Sequence, residues 1–512
     1  MLAPSLPAAS PPVSTGPVGY AWIREQLNLP PLLLTGEARV AQVASLQRLP
    51  EGVILVPPRM APAARWLDQL LFALKHEGVD LYHLSHALRQ VEAADLIAQL
   101  VQTPNGVFVR KVGWLWEQVH QRTLALPPDL KVGAAYAPFF EPDCYVCGPA
   151  QRSPKWRIDF NGLGDLRYCP VVRLTPAIQA LQALDLLGQA CQFVAQTPHE
   201  MLDRALGWAY LSETEGSYAI EGEVPTPTKA SAFVKLLRHA HDLQPLSEER
   251  LVTLQNLILT NPLDMAVQFR TEQNRLQSAG RGAVGVTYVP PAPELAYTLM
   301  AQLIALANRP LAGEDALIRA AVVSFGFVYI HPFMDGNGRL SRFLLHHCLG
   351  QSGQLPPGFV LPLSVAMKRH EADYLAALTS FSRPARELCQ VTWLGDDRYT
   401  YDWAADADVA FRYPDLTACV EFTLRMAQAA LQQDLQHETQ FLADFDRVFH
   451  AINAHYDLRS SDLSTLILCA FEQGGVLSKT RRKRYADRVP VATLDAIEAE
   501  VQRCLADRSS ED

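Results

Sequence analysis

The chain has 512 residues, with 45 Lys+Arg against 54 Asp+Glu and a net charge of −9. That length predicts three or four domains, and 49% hydrophobic against 19% charged residues excludes a wholly disordered chain. The mild acidity argues against a protein that coats nucleic acid by charge alone, and no apolar run approaches the ~18 residues of a membrane-spanning helix.

Residues 1–17 are rich in Pro, Ser and Ala and lack an apolar core, and the first basic residue is Arg24. They read as a disordered tail, not a secretory signal. A mainly helical N-terminal domain is expected over 18–125, with helices at 63–76 and 81–102 around a strand-like run at 53–56. The aromatic segment 107–119 follows, its Trp114 and Trp116 read as core packing. Residues 126–197 mix Pro, Gly and aromatics and read as a connector of loops and short strands ending in a helix. Its Cys144 and Cys147 form a lone CxxC with no second pair at zinc spacing, so ordinary reduced thiols are expected. Nine cysteines in all suit a reducing cytosol and a cytoplasmic location.

Helical patterns dominate 198–395. In Ser217-Tyr218-Ala219-Ile220-Glu221-Gly222 the first and fifth residues share a helix face, and Gly222 suits the helix end. Over 281–291, Val284, Val286 and Tyr288 alternate after glycines 280, 282 and 285, which predicts a hairpin, with a helix from 293 or 294. Over 313–329, Leu317, Ile318, Ala321, Phe325 and Val328 recur at helical spacing.

The chemistry is concentrated in the next twelve residues, His331-Pro332-Phe333-Met334-Asp335-Gly336-Asn337-Gly338-Arg339-Leu340-Ser341-Arg342. Apolar helices lead in and out, so the middle is a loop feeding a helix N-terminus, whose free N–H groups and dipole attract phosphate oxygens. Gly336 and Gly338 let the backbone approach an anion closely, and Asn337 offers a side-chain amide to it. Asp335 beside phosphate makes sense with Mg²⁺ between them. His331, with an ordinary pKa of about 6.5, suits a general base. Arg339 and Arg342 are three apart, two guanidinium forks for outer phosphates. Downstream, His346 and His347 read as packing or surface residues, and Tyr374 lies on a further helix. Residues 396–512 read as helical, at 416–454, 463–471 and 491–505. The basic run 479–484 fits either a helix-turn-helix-like module or a solvated face, and the solvated face is preferred.

The twelve residues resemble the Fic family signature H-P-F-x-[DE]-G-N-G-R-x-x-R at every specified position. The resemblance implies a mainly α fold: a Fic helical core over 198–395 with a short β-hairpin flap, flanked by N-terminal α/β and C-terminal helical regions. It implies transfer of AMP from ATP to a Ser, Thr or Tyr hydroxyl of a protein, the chain itself included. His331 becomes the base and Asp335 the Mg²⁺ ligand. Gly336, Asn337 and Gly338 become the anion hole, Arg339 and Arg342 the ligands of the outer phosphates, and Phe333 a buried anchor. Kinase-like relatives carry Lys where this chain has Gly338. Ser217, Glu221 and Gly222 resemble the inhibitory motif [ST]-x-x-x-E-[GN] of the class whose inhibitory helix precedes the signature, with the glutamate pairing with Arg342. Val284, Gly285, Val286, Thr287 and Tyr288 resemble the flap that docks the target by main-chain pairing, and Tyr374 lies in a segment like one near the adenine pocket. The alternatives are a de-AMPylating enzyme in which Glu221 orients water, and a nucleotide-sensing DNA-binding regulator, which the net charge disfavours. No membrane partner is expected.

Overall fold

The computed structural model describes residues 16–30, 36–259, 265–278, 280 and 282–511, so most of the expected 1–17 tail and Arg281 lie outside the described residues. The fold is mainly α-helical with small sheets. Two compact units interleave along the chain. The first takes in the described residues up to Leu184, Arg238–Ser352 and His370–Leu424, and the second Asp185–Leu237, Gly353–Arg369 and Arg425–Asp512.

In the first unit, Ile54–Val56 is the middle strand of a small sheet, parallel to Ala38–Val40 and antiparallel to Gln47–Arg48. The helix expected at 63–76 is Trp66–His76, but the one expected at 81–102 is two, Leu81–Leu88 and Ala93–Gln102. Both halves share one apolar period, so the break left no mark in the pattern. A distant contact holds it, the Trp116 indole N–H donating to the Val91 carbonyl at 2.9 Å. Trp114 and Trp116 are buried in the helix Val107–His120, as core packing requires. In the connector, the Cys147 thiol accepts from the Asn161 amide at 3.2 Å, and no cluster of three potential metal ligands occurs among the described residues.

The helix Ala316–Ile330 is apolar on nearly every side and almost wholly buried. Asp315 starts it by accepting from the N–H groups of Leu317 and Ile318 at 2.9 and 3.2 Å, the usual role of a short acid at an N-cap. The next helix, Asn337–Gln351, packs against it, and the Ser324 hydroxyl ties the two by donating to the Ser341 carbonyl at 2.7 Å.

One expectation is overturned here. The chain is not helical through 395 and again after 400. Cys389–Gly395 and Arg398–Trp403 form an antiparallel hairpin, turning at Asp396 and Asp397 with φ of 48° and 60°. Two left-handed residues between strands match the twist of a tight hairpin. The alternation in Gln390-Val391-Thr392-Trp393 and the Gly-Asp-Asp turn carry that signal in the sequence itself.

In the second unit, the helix His199–Ile220 packs on Leu363–Arg369, where the Glu213 carboxylate accepts from the Ser364 N–H at 2.6 Å. Arg204 pairs with Asp446 at 2.7 Å on the same helix's other contact. The run expected at 416–454 carries a π-helical turn at Ala430–Leu435 between Thr417–Ala429 and Gln436–Asn453. Ser460–Glu472, Lys479–Tyr485 and Val491–Glu511 complete a C-terminal core around Ile467, Leu494 and Ile497. On the basic helix, Arg482 pairs with Glu498 at 2.8 Å, while Lys479, Lys483 and Arg484 are exposed.

Candidate active site

The helix Ala316–Ile330 ends at His331, which takes the left-handed conformation (φ 53°, ψ 60°). A non-glycine residue pays for that geometry in strain, so other contacts must hold it. The ring itself helps. Nδ1 lies 3.0 Å from the Val328 carbonyl oxygen, which can only accept, so Nδ1 carries the proton and Nε2 keeps its lone pair. Burial pushes the His331 pKa down to about 4, with the Arg270 charge acting in the same direction and the Val328 bond and Asp335 opposing. The imidazole is therefore neutral near pH 7 and able to accept a proton at Nε2.

Phe333 is fully buried against Phe269 and Phe327, as expected of an anchor. Asn337 departs from its expected use. Its side chain accepts from the Phe333 N–H at 3.0 Å and donates to the Phe333 carbonyl at 2.8 Å, so the amide staples the loop.

Gly336 sits at the helix N-cap with φ 74°, and a Cβ there would lie 2.4 Å from Gln255 Nε2. The positive φ calls for glycine, and a Cβ would also push Gln255 aside. Gln255 donates to the Asp335 carbonyl and closes the loop from the other side. The first intrahelical bond runs from Leu340 N–H to Gly336 O at 3.0 Å, so the backbone N–H groups of the first turn lead out of the helix end. Asp335 beside it is 60% exposed and accepts from the Gly336 N–H at 2.6 Å. Arg339 and Arg342 lie on the buried side of the helix, and an Arg339 Nη stands 3.8 Å from an Asp335 oxygen. A cavity of about 340 Å³ opens at Asp335, with Gln255, Val267, Phe269, Arg270 and Met334 in its wall.

The flap is smaller than the alternating pattern implies. Val286–Tyr288 pairs antiparallel with Leu276–Gln277, whereas Val284 and Gly285 belong to a 3₁₀ turn that leaves Val284 96% exposed. No strand covers the other edge of Val286–Tyr288 among the described residues, and Thr287 is exposed there. The Tyr288 hydroxyl donates to the Tyr329 carbonyl at 2.7 Å, fixing the flap's base next to the end of the Ala316–Ile330 helix. Tyr374 packs among aromatic rings, buried with the Phe325 and Phe422 centroids at 6.2 and 5.7 Å. His346 and His347 are buried on their helix, consistent with packing. Ser217 is buried, Glu221 is exposed at the C-cap of His199–Ile220, and Gly222 follows with φ 73°, as a helix-ending glycine does. These three residues belong to the second compact unit.

Sequence reasoning places Arg270 only in a run that resembles the family's approach to the flap, and gives no role to it, to Gln255 or to Asn274, whose amide donates to the Phe333 carbonyl at 3.0 Å. Their bonds to the Asp335, His331 and Phe333 carbonyls span 59 to 80 residues, a reach that local sequence does not show.

Residues 245–349, which contain this whole loop and flap, match the Fic/DOC family. This segment of the chain is a Fic/DOC domain. It is 35% identical over 92 residues to a Caenorhabditis briggsae protein described as protein adenylyltransferase fic-1, covering 18% of this chain and 17% of that one. A Nematostella vectensis protein described as protein adenylyltransferase Fic is 28% identical over 181 residues, 30% of this chain and 41% of its own. The matches thus span less than half the length of these relatives. Among solved structures, a Fic family protein from Desulfovibrio desulfuricans G20 is 19% identical with a TM-score of 0.40, covering 63% of this chain and 97% of that one.

Proposed function

We propose that this Fic-domain protein transfers AMP from ATP to a Ser, Thr or Tyr hydroxyl of a protein, itself included, and is restrained by Glu221. The observation that carries the reading is the neutral His331, its Nε2 lone pair unprotonated, on a strained joint six residues before an anion-attracting helix N-terminus. The target hydroxyl attacks the α-phosphorus in line; an O–P bond forms, the bond to pyrophosphate breaks, and the hydroxyl proton passes to His331 Nε2. Asn337 and Gly338 hold phosphate oxygens through backbone N–H groups, Gly336 joins them once its N–H leaves Asp335 Oδ1, and Arg339 and Arg342 hold the outer phosphates. Asp335 fits Mg²⁺: it is an exposed hard-oxygen donor at the anion site, and this ion is commonly held by one carboxylate plus substrate phosphates. Bound there, Mg²⁺ would neutralise charge on the phosphates. The open edge at Thr287, flanked by Val284, Gly285, Val286 and Tyr288, suits main-chain pairing with an extended target segment.

In this reading 198–395 is the catalytic segment, and Ser217, Glu221 and Gly222 form the restraint, Glu221 competing with the γ-phosphate for Arg342. Nine free thiols support a reducing, cytoplasmic setting. The test incubates the protein with α-labelled ATP and Mg²⁺. Weak self-labelling is expected for wild type, strong labelling for Glu221→Gly, and none for His331→Ala; equal labelling in all three overturns the proposal.

A further inference from the structure

Arg270 is only 6% exposed and joins three segments that the chemistry has to keep in register. Its backbone N–H donates to the Pro332 carbonyl at 2.8 Å, and its Nε donates to the His331 carbonyl at 2.8 Å. One Nη donates to the Glu272 carbonyl at 3.0 Å, and the other to the carbonyl of Pro291. His331 and Pro332 carry the base, Glu272 begins the approach to Leu276–Gln277, and Pro291 lies just beyond Val286–Tyr288. Both roots of the flap and the base are thus pinned by one side chain.

We propose that Arg270 is the positioning residue that sets His331 against the flap, so that a hydroxyl presented on the flap meets Nε2 at attacking distance. This rests on the AMP-transfer reading above. Guanidinium suits the task because its donors diverge in one rigid plane, and here three of its nitrogens serve three different carbonyls. An ammonium in the same space is a point donor without that fork. The contact to the His331 carbonyl also stabilises the left-handed joint, where a rotation of a few tens of degrees would swing the ring away from its Val328 partner. The charge adds a second signature. The ionisable groups that bear on His331 are Arg270, which disfavours the imidazolium, and Asp335, which favours it; the Val328 carbonyl bonds the ring, and Tyr288 from the flap stays neutral because burial raises its pKa.

The experiment compares Arg270→Lys and Arg270→Gln with the parent, all in the Glu221→Gly chain. It reads ATP affinity, AMP transfer against pH, hydrogen exchange of Val286–Tyr288, and the ring titration of His331 by NMR, assigned with His331→Ala. Expected are ATP affinities within about threefold of the parent, transfer at least tenfold slower in both variants, and faster exchange at the flap. The His331 titration is expected to move up in Arg270→Gln and to stay near its parent value in Arg270→Lys, which keeps the charge. Full transfer by Arg270→Lys, or flap exchange and His331 titration unchanged in both variants, overturns the inference. If Arg270→Gln does not fold, Arg270→Lys decides through transfer and exchange. Absence of transfer in every chain, the parent included, would instead condemn the activity reading, while exchange and titration would still report whether Arg270 sets the base against the flap.

Discussion

His331 shows how burial sets a proton acceptor. With its pKa near 4 instead of 6.5, the ring is neutral across the whole neutral range. The acid limb of kcat/KM for label transfer is therefore expected near pH 4, with a flat rate between pH 5 and 7; an inflection close to 6.5 would show an ordinary solvated imidazole instead. Replacing the ring by Ala is expected to cost about 10²–10⁴ in rate with little change in melting temperature. Asn337 illustrates the opposite case, a residue in the middle of the signature whose side chain is structural. Asn337→Ala removes both bonds to the Phe333 backbone and leaves the buried Phe333 N–H unsatisfied, while the carbonyl keeps the Asn274 amide. A loss of about 1–3 kcal/mol in denaturant unfolding is expected, together with loss of transfer, because the loop no longer holds its shape.

At the scale of elements, the flap and the hairpin Cys389–Gly395/Arg398–Trp403 act as one assembly. Val286 and Val289 share an apolar cluster with Cys389 and Val391. Arg386 donates to the Val286 carbonyl at 3.1 Å and to that of Cys389, and the Arg275 guanidinium lies over the Tyr399 ring at 3.9 Å. A two-stranded hairpin is marginal alone, so this second hairpin supplies the packing the flap lacks. Arg386→Ala is expected to raise hydrogen exchange at Val286–Tyr288 several-fold while leaving that of Ala316–Ile330 unchanged. Equal protection in variant and parent would mean that the apolar cluster alone holds the flap.

For the molecule as a whole, protonation couples stability of the first unit to pH. Burial lowers the pKa of His86, His331 and His347 to about 4, so between 6.5 and 4 their unfolded forms bind protons that the folded forms refuse. Glu77 works in the other direction: burial raises it to about 8, so its folded form holds a proton that the unfolded form releases above about 4.5. Stability of this unit is therefore expected to peak near pH 6.5. Below it, about two net protons are taken up on unfolding; between 6.5 and 8, about one is released. Urea midpoints at several pH values check the sign, and a monotonic rise from pH 5 to 8 would contradict it.

Local order was enough for the site's skeleton. His331, Asp335, Gly336, Gly338, Arg339 and Arg342 lie within twelve residues, so a loop between two apolar helices must bring them to one helix tip whatever the rest of the chain does. The same holds for Gly222 at its helix end and for Trp114 and Trp116 in the core. What the tertiary structure alone decided are the interactions with partners far along the chain. The tautomer and low pKa of His331 follow from how deeply its joint is packed. Arg270, Gln255 and Asn274 reach carbonyls 59 to 80 residues distant, and Arg270 adds that of Pro291 beyond the flap. Tyr374 went to an aromatic cluster because Phe325 and Phe422 met it there, and periodicity cannot say which buried neighbours a ring will find. Spacing along the chain determines contacts within a turn or two; burial, charge environment and long-range hydrogen bonds exist only once the helices have packed.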